Sequence, residues 1–269
     1  IHSMVDKKPD YAAYVRVAYI RELSGDIPGA IDALQTAISS GSNFSENIAW
    51  AYNEVGKLHL RDQLDAASTD FQNALVVVPN YAPAVEGLGK VAFFRNDQVT
   101  AERYFRQAFT QLPIAQYAID LGDLLTVQGK TPSAENYYSL AAVAYTKSTV
   151  GGVNVDQEVA LFDANANRQL DDALQRAQAA VHDRPSIFSR DALAWVQYRR
   201  GDLPAAQSAI KDALQFGRHD AGILWHAGVI ASAANNQPKA KEYFQKAISL
   251  NPHFSIRFAK ELHDRLQQL

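Results

Sequence analysis

Residues 80–113 read NYAPAVEGLGKVAFFRNDQVTAERYFRQAFTQLP. Two stretches with helical apolar spacing flank the turn dipeptide Asn96-Asp97, so the segment predicts two helices joined by a tight turn. The second stretch carries Ala101, Phe105 and Ala108, and offsets of four and three put all three on one face of a helix. The first carries Leu88-Gly89, and Pro113 closes the unit. Small residues at the crossing let the two helices approach closely. The bulky residue then fills the groove towards the next pair.

The same face recurs along the whole chain. Ala30-Leu34-Ala37, Ala67-Phe71-Ala74, Ala101-Phe105-Ala108 and Ala134-Tyr138-Ala141 are followed by Ala173-Ala177-Ala180, Ala206-Ile210-Ala213 and Ala240-Phe244-Ala247. The leading alanines are separated by 37, 34, 33, 39, 33 and 34 residues. Leu121-Gly122 and Ala227-Gly228 repeat the small residue of the first helix, as does Val55-Gly56. Turn chemistry stands between the paired helices at Gly25-Asp26, Gly129-Lys130, Gly201-Asp202 and Asn235-Asn236. Pro28, Pro132, Pro204 and Pro238 follow, where a first-turn proline costs no helical hydrogen bond. A period of about 34 residues with this pattern resembles the tetratricopeptide repeat. The fold class expected is all-α: a right-handed α-solenoid of helix–turn–helix repeats, stacked because no single hairpin buries its own apolar face.

Repeats are expected to start near residues 11, 49, 82, 115, 154, 187 and 221. Residues 1–10 form an N-terminal extension, whose Ile1-His2-Ser3-Met4 reads as a vector remnant before Met4. Residues 11–148 hold repeats one to four, 149–252 repeats five to seven, and 253–269 a capping helix with Phe254, Phe258, Leu262 and Leu266 on one stripe. Two junctions are long. One contains Ser40-Gly41-Ser42-Asn43; the other, Thr146 to Asn154 with Gly151-Gly152, reads either as a soft joint between a front half of four repeats and a back half of three or as a slightly longer surface loop.

Composition narrows the function. The 269 residues are 47% hydrophobic and 20% charged, the balance of a folded chain. A net charge of -3 gives no basic excess for nucleic acid or anionic lipid. With no cysteine, disulfides, thiolate metal sites and a cysteine nucleophile are excluded. No apolar run reaches the roughly 18–20 residues of a membrane-spanning helix, and no signal peptide is visible. Glycine-rich phosphate loops, serine elbows and short-spaced histidine ligand pairs are missing, so neither cofactor nor metal is expected.

The back half carries a further resemblance. Glu158-Val159-Ala160-Leu161-Phe162, Arg184-Pro185-Ser186-Ile187, Asp191-Ala192-Leu193-Ala194-Trp195, His226-Ala227-Gly228 and Asn251-Pro252-His253-Phe254 are similar to a group of bacterial tetratricopeptide proteins, many of them exported. Asp163-Ala164-Asn165-Ala166-Asn167 departs from that pattern. The resemblance implies no catalytic activity and leans towards an extracytoplasmic bacterial protein whose signal lies outside this sequence.

In such repeats the first helix lines the concave face. Its second, fifth, ninth and twelfth places select Tyr19, Trp50, Asn53, Lys57, Glu86, Lys90, Phe93, Asp123, Glu158, Phe162, Asp191, Trp195, Tyr198 and Trp225 as the peptide-binding set. All three tryptophans fall on it, and large rings carry binding energy at low entropic cost. Tetratricopeptide co-chaperones clamp a terminal carboxylate with successive Asn and Lys. Only Asn53 and Lys57 match, and Glu86 would repel a carboxylate, so an extended peptide with apolar and basic side chains fits better. The expectation is a non-catalytic protein- or peptide-binding scaffold, monomeric or weakly dimeric. It would act without nucleic acid and without membrane insertion by this chain. Two other functions stay open: a structural or assembly subunit acting through its convex face or by self-association, and a metal-dependent or acid–base enzyme near Asp191 and His226. His219, His226 and His253 lie close in sequence, but a hydrogen bond between His226 and Asp191 across adjacent hairpins is the expected arrangement.

Overall fold

A computed structural model describes residues 10–215 and 219–269. The expected extension over residues 1–10 therefore lies outside the described residues, except for Asp10. Among the described residues the chain is helical, with no strand. The helices pair in chain order: α1 (Tyr11–Leu23) with α2 (Ile27–Ser40), α3 (Ser45–His59) with α4 (Leu64–Val77), α5 (Ala82–Phe94) with α6 (Gln98–Gln111), and α7 (Ala115–Val127) with α8 (Thr131–Val150). They continue as α9 (Asp156–Ala166) with α10 (Leu170–Asp183), α11 (Ile187–Arg199) with α12 (Leu203–Leu214), and α13 (Ala221–Ala233) with α14 (Gln237–Leu250). A last helix, α15 (Ala259–Gln267), follows. The chain divides into two compact units, residues 1–138 and 139–269, so the division falls within α8.

Four turns are built from two residues with separate tasks, and a fifth, at Gly129, has the reversal followed by Lys130. The first reverses the chain in the left-handed region: Gly25, Gly129 and Gly201 take φ of 84°, 73° and 86°, and Asn96 and Asn235 take 63° and 58°. Glycine pays no Cβ penalty there, and asparagine tolerates the region best among the other residues. The second residue caps the next helix. Asp26, Asp97, Asp202 and Asn236 accept from the backbone N–H of Gly29, Thr100, Ala205 and Lys239 at 3.0–3.2 Å. Each such cap is worth about 1 kcal/mol.

The alanine faces are the crossings. Ala67, Phe71 and Ala74 have no exposed surface, and the same holds for Ala101, Phe105 and Ala108 and for Ala240, Phe244 and Ala247. Glycine on the first helix makes room for the ring. A Cβ on Gly89 would stand 2.5 Å from the Phe105 ring, and one on Gly228 would collide with Phe244. The fifth repeat lacks a ring, having Ala177 in the bulky place. There Trp195 of α11 packs into the cluster with Ala173 and Ala177.

Two expectations need correction. Thr146 to Val150 is not loop but the last turn of α8. Thr146, Ser148 and Thr149 return their hydroxyls to the carbonyls of Ala142, Ala144 and Tyr145, so they stay helical until Gly151-Gly152 ends the run. The final helix begins at Ala259 rather than Phe254. Ser255 Oγ accepts from the Phe258 N–H, holding that segment in turns, while Phe254 and Phe258 pack on Trp225.

Candidate functional site

In unit 1 the first helices bring three of the predicted site residues round one pocket. Tyr19 on α1 and Trp50 and Lys57 on α3 line it, with Val15, Ala18, Leu34 and Leu58 as an apolar floor and Glu22 and Glu54 at the rim. Its volume is about 120 Å³. Tyr19 is 60% exposed and Trp50 37%. Lys57 Nζ lies 2.7 Å from Glu54 Oε1, and Arg61 Nη2 lies 2.8 Å from Glu22 Oε1, so the rim charges are fixed in place. Asn53 is buried, and its amide donates to Glu54 Oε1 at 3.3 Å. It stands behind the rim, not in the opening.

Further along unit 1 the predicted Glu86 and Lys90 meet a residue that the repeat count misses. Lys90 Nζ is 2.5 Å from Glu86 Oε1 and 3.8 Å from Asp120 Oδ2. Glu86 and Asp120 are both buried and share a hydrogen bond, and Gln116 Nε2 donates to Asp120 Oδ1 at 2.9 Å. Two buried carboxylates beside one ammonium leave a net negative charge. Burial pushes the Asp120 carboxyl well above its ordinary range, with Glu86 adding and Lys90 opposing. Burial also works against ionised Glu86, but Lys90 and the Asp120 side chain together outweigh it and hold Glu86 below the ordinary value. These opposite directions favour a proton on Asp120 over one on Glu86. Phe93 packs edge-on against Phe94, and Asp123 accepts from the Tyr138 hydroxyl at 2.8 Å.

Unit 2 differs. Trp195, Trp225, Phe162 and Asp191 were expected to face a ligand, yet each is at most 6% exposed. The reason is packing. Trp195 stacks on Tyr198 and on His226, with centroids 5.1 and 4.2 Å away, and its Nε1 donates to Asn165 Oδ1 at 2.9 Å. Trp225 lies among Phe244, Phe254 and Phe258. Phe162 lies against Tyr145, with the Arg168 guanidinium 4.2 Å above its ring. These rings are core, and only Glu158 and half-buried Tyr198 reach solvent.

The Asp191–His226 hydrogen bond is present, with Nδ1 2.9 Å from both carboxylate oxygens. Both groups are buried and the imidazole stacks on Trp195, so the pair ties α11 to α13. Among the described residues no three His, Asp or Glu side chains gather as a metal site, and no helix is long and apolar enough to cross a membrane.

Glu54 and Asp120 were the residues missed by counting. Asp120 had a signal: it is a lone acid inside the apolar run Ala118-Ile119-Asp120-Leu121-Gly122, one repeat beyond Glu86.

The comparisons agree with this architecture. Residues 192–253 match the tetratricopeptide repeat family. Over 201 residues the chain is 25% identical to the cellulose synthase 2 operon protein C of Komagataeibacter xylinus, an alignment covering 73% of this chain. The chain spans only 14% of the length of that relative. Among solved structures, a tetratricopeptide repeat protein from Parabacteroides merdae is similar over 96% of this chain and 98% of its own, with TM-score 0.51 and 17% identity. Yeast Tom70 is similar over 99% of this chain and 56% of its own, with TM-score 0.53 and 16% identity. At such identities the likeness is one of fold. The alanine crossings, the turn-and-cap pairs and these likenesses lead to one conclusion: the chain has the α-solenoid fold of tetratricopeptide-repeat proteins, and residues 192–253 match that family.

Proposed function

We propose that this protein is a non-catalytic scaffold that holds an extended segment of a protein partner on the first-helix face of unit 1. The pocket between Tyr19 and Trp50 carries the reading. Two exposed rings over an apolar floor supply contact area that needs no rearrangement, and fixed charges at the rim supply orientation. Glu22 and Glu54 stand at that rim against Lys57, so the favoured partner segment pairs an aromatic or aliphatic anchor with a basic side chain. The protein works as a monomer or weak dimer, and the bacterial relative supports a bacterial origin and a place outside the cytoplasm.

A peptide library selected on the intact protein tests this. Peptides with a large apolar residue near Lys or Arg should be enriched. Trp50→Ala and Glu54→Lys should each weaken the selected peptides at least about tenfold, with stability changed by less than about 1 kcal/mol. Unchanged affinity in both variants would remove the groove from consideration. A second reading, a subunit of a polysaccharide-synthesis assembly, draws on the name of the Komagataeibacter relative.

A further inference from the structure

The unit 1 pocket offers three kinds of surface to whatever enters it. Leu34 and Leu58 lie in its apolar floor, Tyr19 and Trp50 bring aromatic rings, and Glu22 and Glu54 bring carboxylates. Each carboxylate is held by neighbours through one oxygen. Lys57 Nζ lies 2.7 Å from Glu54 Oε1, to which the Asn53 amide also donates at 3.3 Å. Arg61 Nη2 lies 2.8 Å from Glu22 Oε1. These contacts fix both carboxylates and leave Oε2 of each to a ligand. The volume of about 120 Å³ is several times the roughly 10–15 Å³ that one water requires, so it admits the head of one side chain and not a folded segment.

Three candidates for that side chain differ in what they leave unsatisfied. A phenyl or aliphatic group would cover the rings and the floor, but it would strip water from Glu22 and Glu54 without offering a donor. An ammonium would offer donors, but it is a compact, strongly hydrated charge and would lose its water over an apolar floor. A guanidinium meets both demands. Its flat faces are weakly hydrated and stack on aromatic rings, and its N–H groups lie in the plane, directed at acceptors round the edge. The aliphatic stem behind it covers apolar surface.

We propose that the unit 1 pocket is an arginine receptor. The apolar anchor and the basic group of the bound segment are then one side chain, with its guanidinium on the rings of Tyr19 and Trp50 and its edge donors on Glu22 and Glu54. This rests on the reading of the pocket as a peptide-binding groove and narrows it to one residue type. Lys57 acts as a gatekeeper, since it competes for the Glu54 carboxylate and its charge opposes entry.

The test uses the full isotope-labelled chain and acetyl-Gly-Gly-X-Gly-Gly-amide peptides at constant ionic strength, and follows the Trp50 indole Nε1–H signal by NMR. X is arginine, citrulline, lysine, trimethyllysine, leucine or phenylalanine. A saturable shift is expected with arginine. Citrulline keeps the shape and loses the charge; it and the other four should each bind at least about tenfold more weakly. Glu54→Gln should shrink the preference for arginine over citrulline by about threefold or more, a ratio that a merely structural change would not move. Lys57→Met should tighten arginine binding by about threefold or more and leave leucine binding unchanged. The peptide series decides the matter on the unaltered protein. Any of the other five binding as tightly as arginine overturns the arginine receptor and leaves the groove reading standing. No saturable shift with any of the six overturns both.

Discussion

Glu86 with Asp120 in unit 1 and Asp191 with His226 in unit 2 occupy comparable slots. In each, an acid on one first helix reaches a titratable residue on the first helix of the next hairpin, 34 or 35 residues on. Both slots are buried. The difference is who supplies the hydrogen. In unit 2 the imidazole Nδ1 brings its own donor, set 2.9 Å from two oxygens. In unit 1 two carboxylates face each other, so solvent must lend a proton, and Lys90 neutralises what remains. The same backbone arrangement thus gives a joint closed by an imidazole in one unit and a joint that responds to pH in the other.

The strongest way to break the comparison is His226→Ala. It leaves the Asp191 carboxylate buried without a partner and removes the ring stacked on Trp195. A loss of about 3–5 kcal/mol in denaturant unfolding is expected, and a loss under 1 kcal/mol would show that water satisfies Asp191. A middling effect should come from the crossings, which the two units share. Ala101→Leu in unit 1 and Ala240→Leu in unit 2 each add a branched side chain to a fully buried face. Each should cost about 1–3 kcal/mol by melting, and similar values would confine the difference between units to the slots.

The smallest effect is the most discriminating. Asp120 has a folded proton affinity raised well above that of the unfolded chain. Unfolding at a pH above the ordinary carboxylate range therefore releases that proton. Stability is greatest at or below the ordinary Asp range and declines as pH rises towards the folded value. Asp120→Asn keeps the size and hydrogen-bonding shape without the ionisation. It should flatten that slope and add roughly 1 kcal/mol near pH 8. A wild-type slope retained by Asp120→Asn would assign the pH response elsewhere.

The fold was legible because its physics is periodic. Alanine triads, left-handed turn residues and capping aspartates recur at one spacing, and each is a local requirement that a sequence shows directly. The ends of α8 and α15 were less so: Thr146, Ser148 and Thr149 read as loop residues until their hydroxyls are seen to bond back into the helix. The candidate site was half legible. Tyr19, Trp50 and Lys57 converge as the repeat places imply, because each sits on a first helix with nothing packed over it. Trp195 has the same ring chemistry but is buried, since Ala177 leaves a hollow that the indole fills. Whether a ring fills or faces outward depends on a residue in another helix, and single-position reading does not reach that far. Asp120 was passed over for a similar reason, as its role exists only through Glu86.

The turn residues bear on how a chain of this kind changes over generations. Most hairpins carry their own reversal, several their own cap, and their side chains meet those of adjoining hairpins. The genetic segment for one hairpin is therefore close to a self-sufficient part. Copying or deleting it in register alters the length of the array while leaving most existing joints intact. The joints that resist such editing are the polar slots, because inserting a hairpin between α5 and α7, or between α11 and α13, would divorce an acid from the partner it was matched to. Those two places should record the lineage of this chain more faithfully than its alanines do.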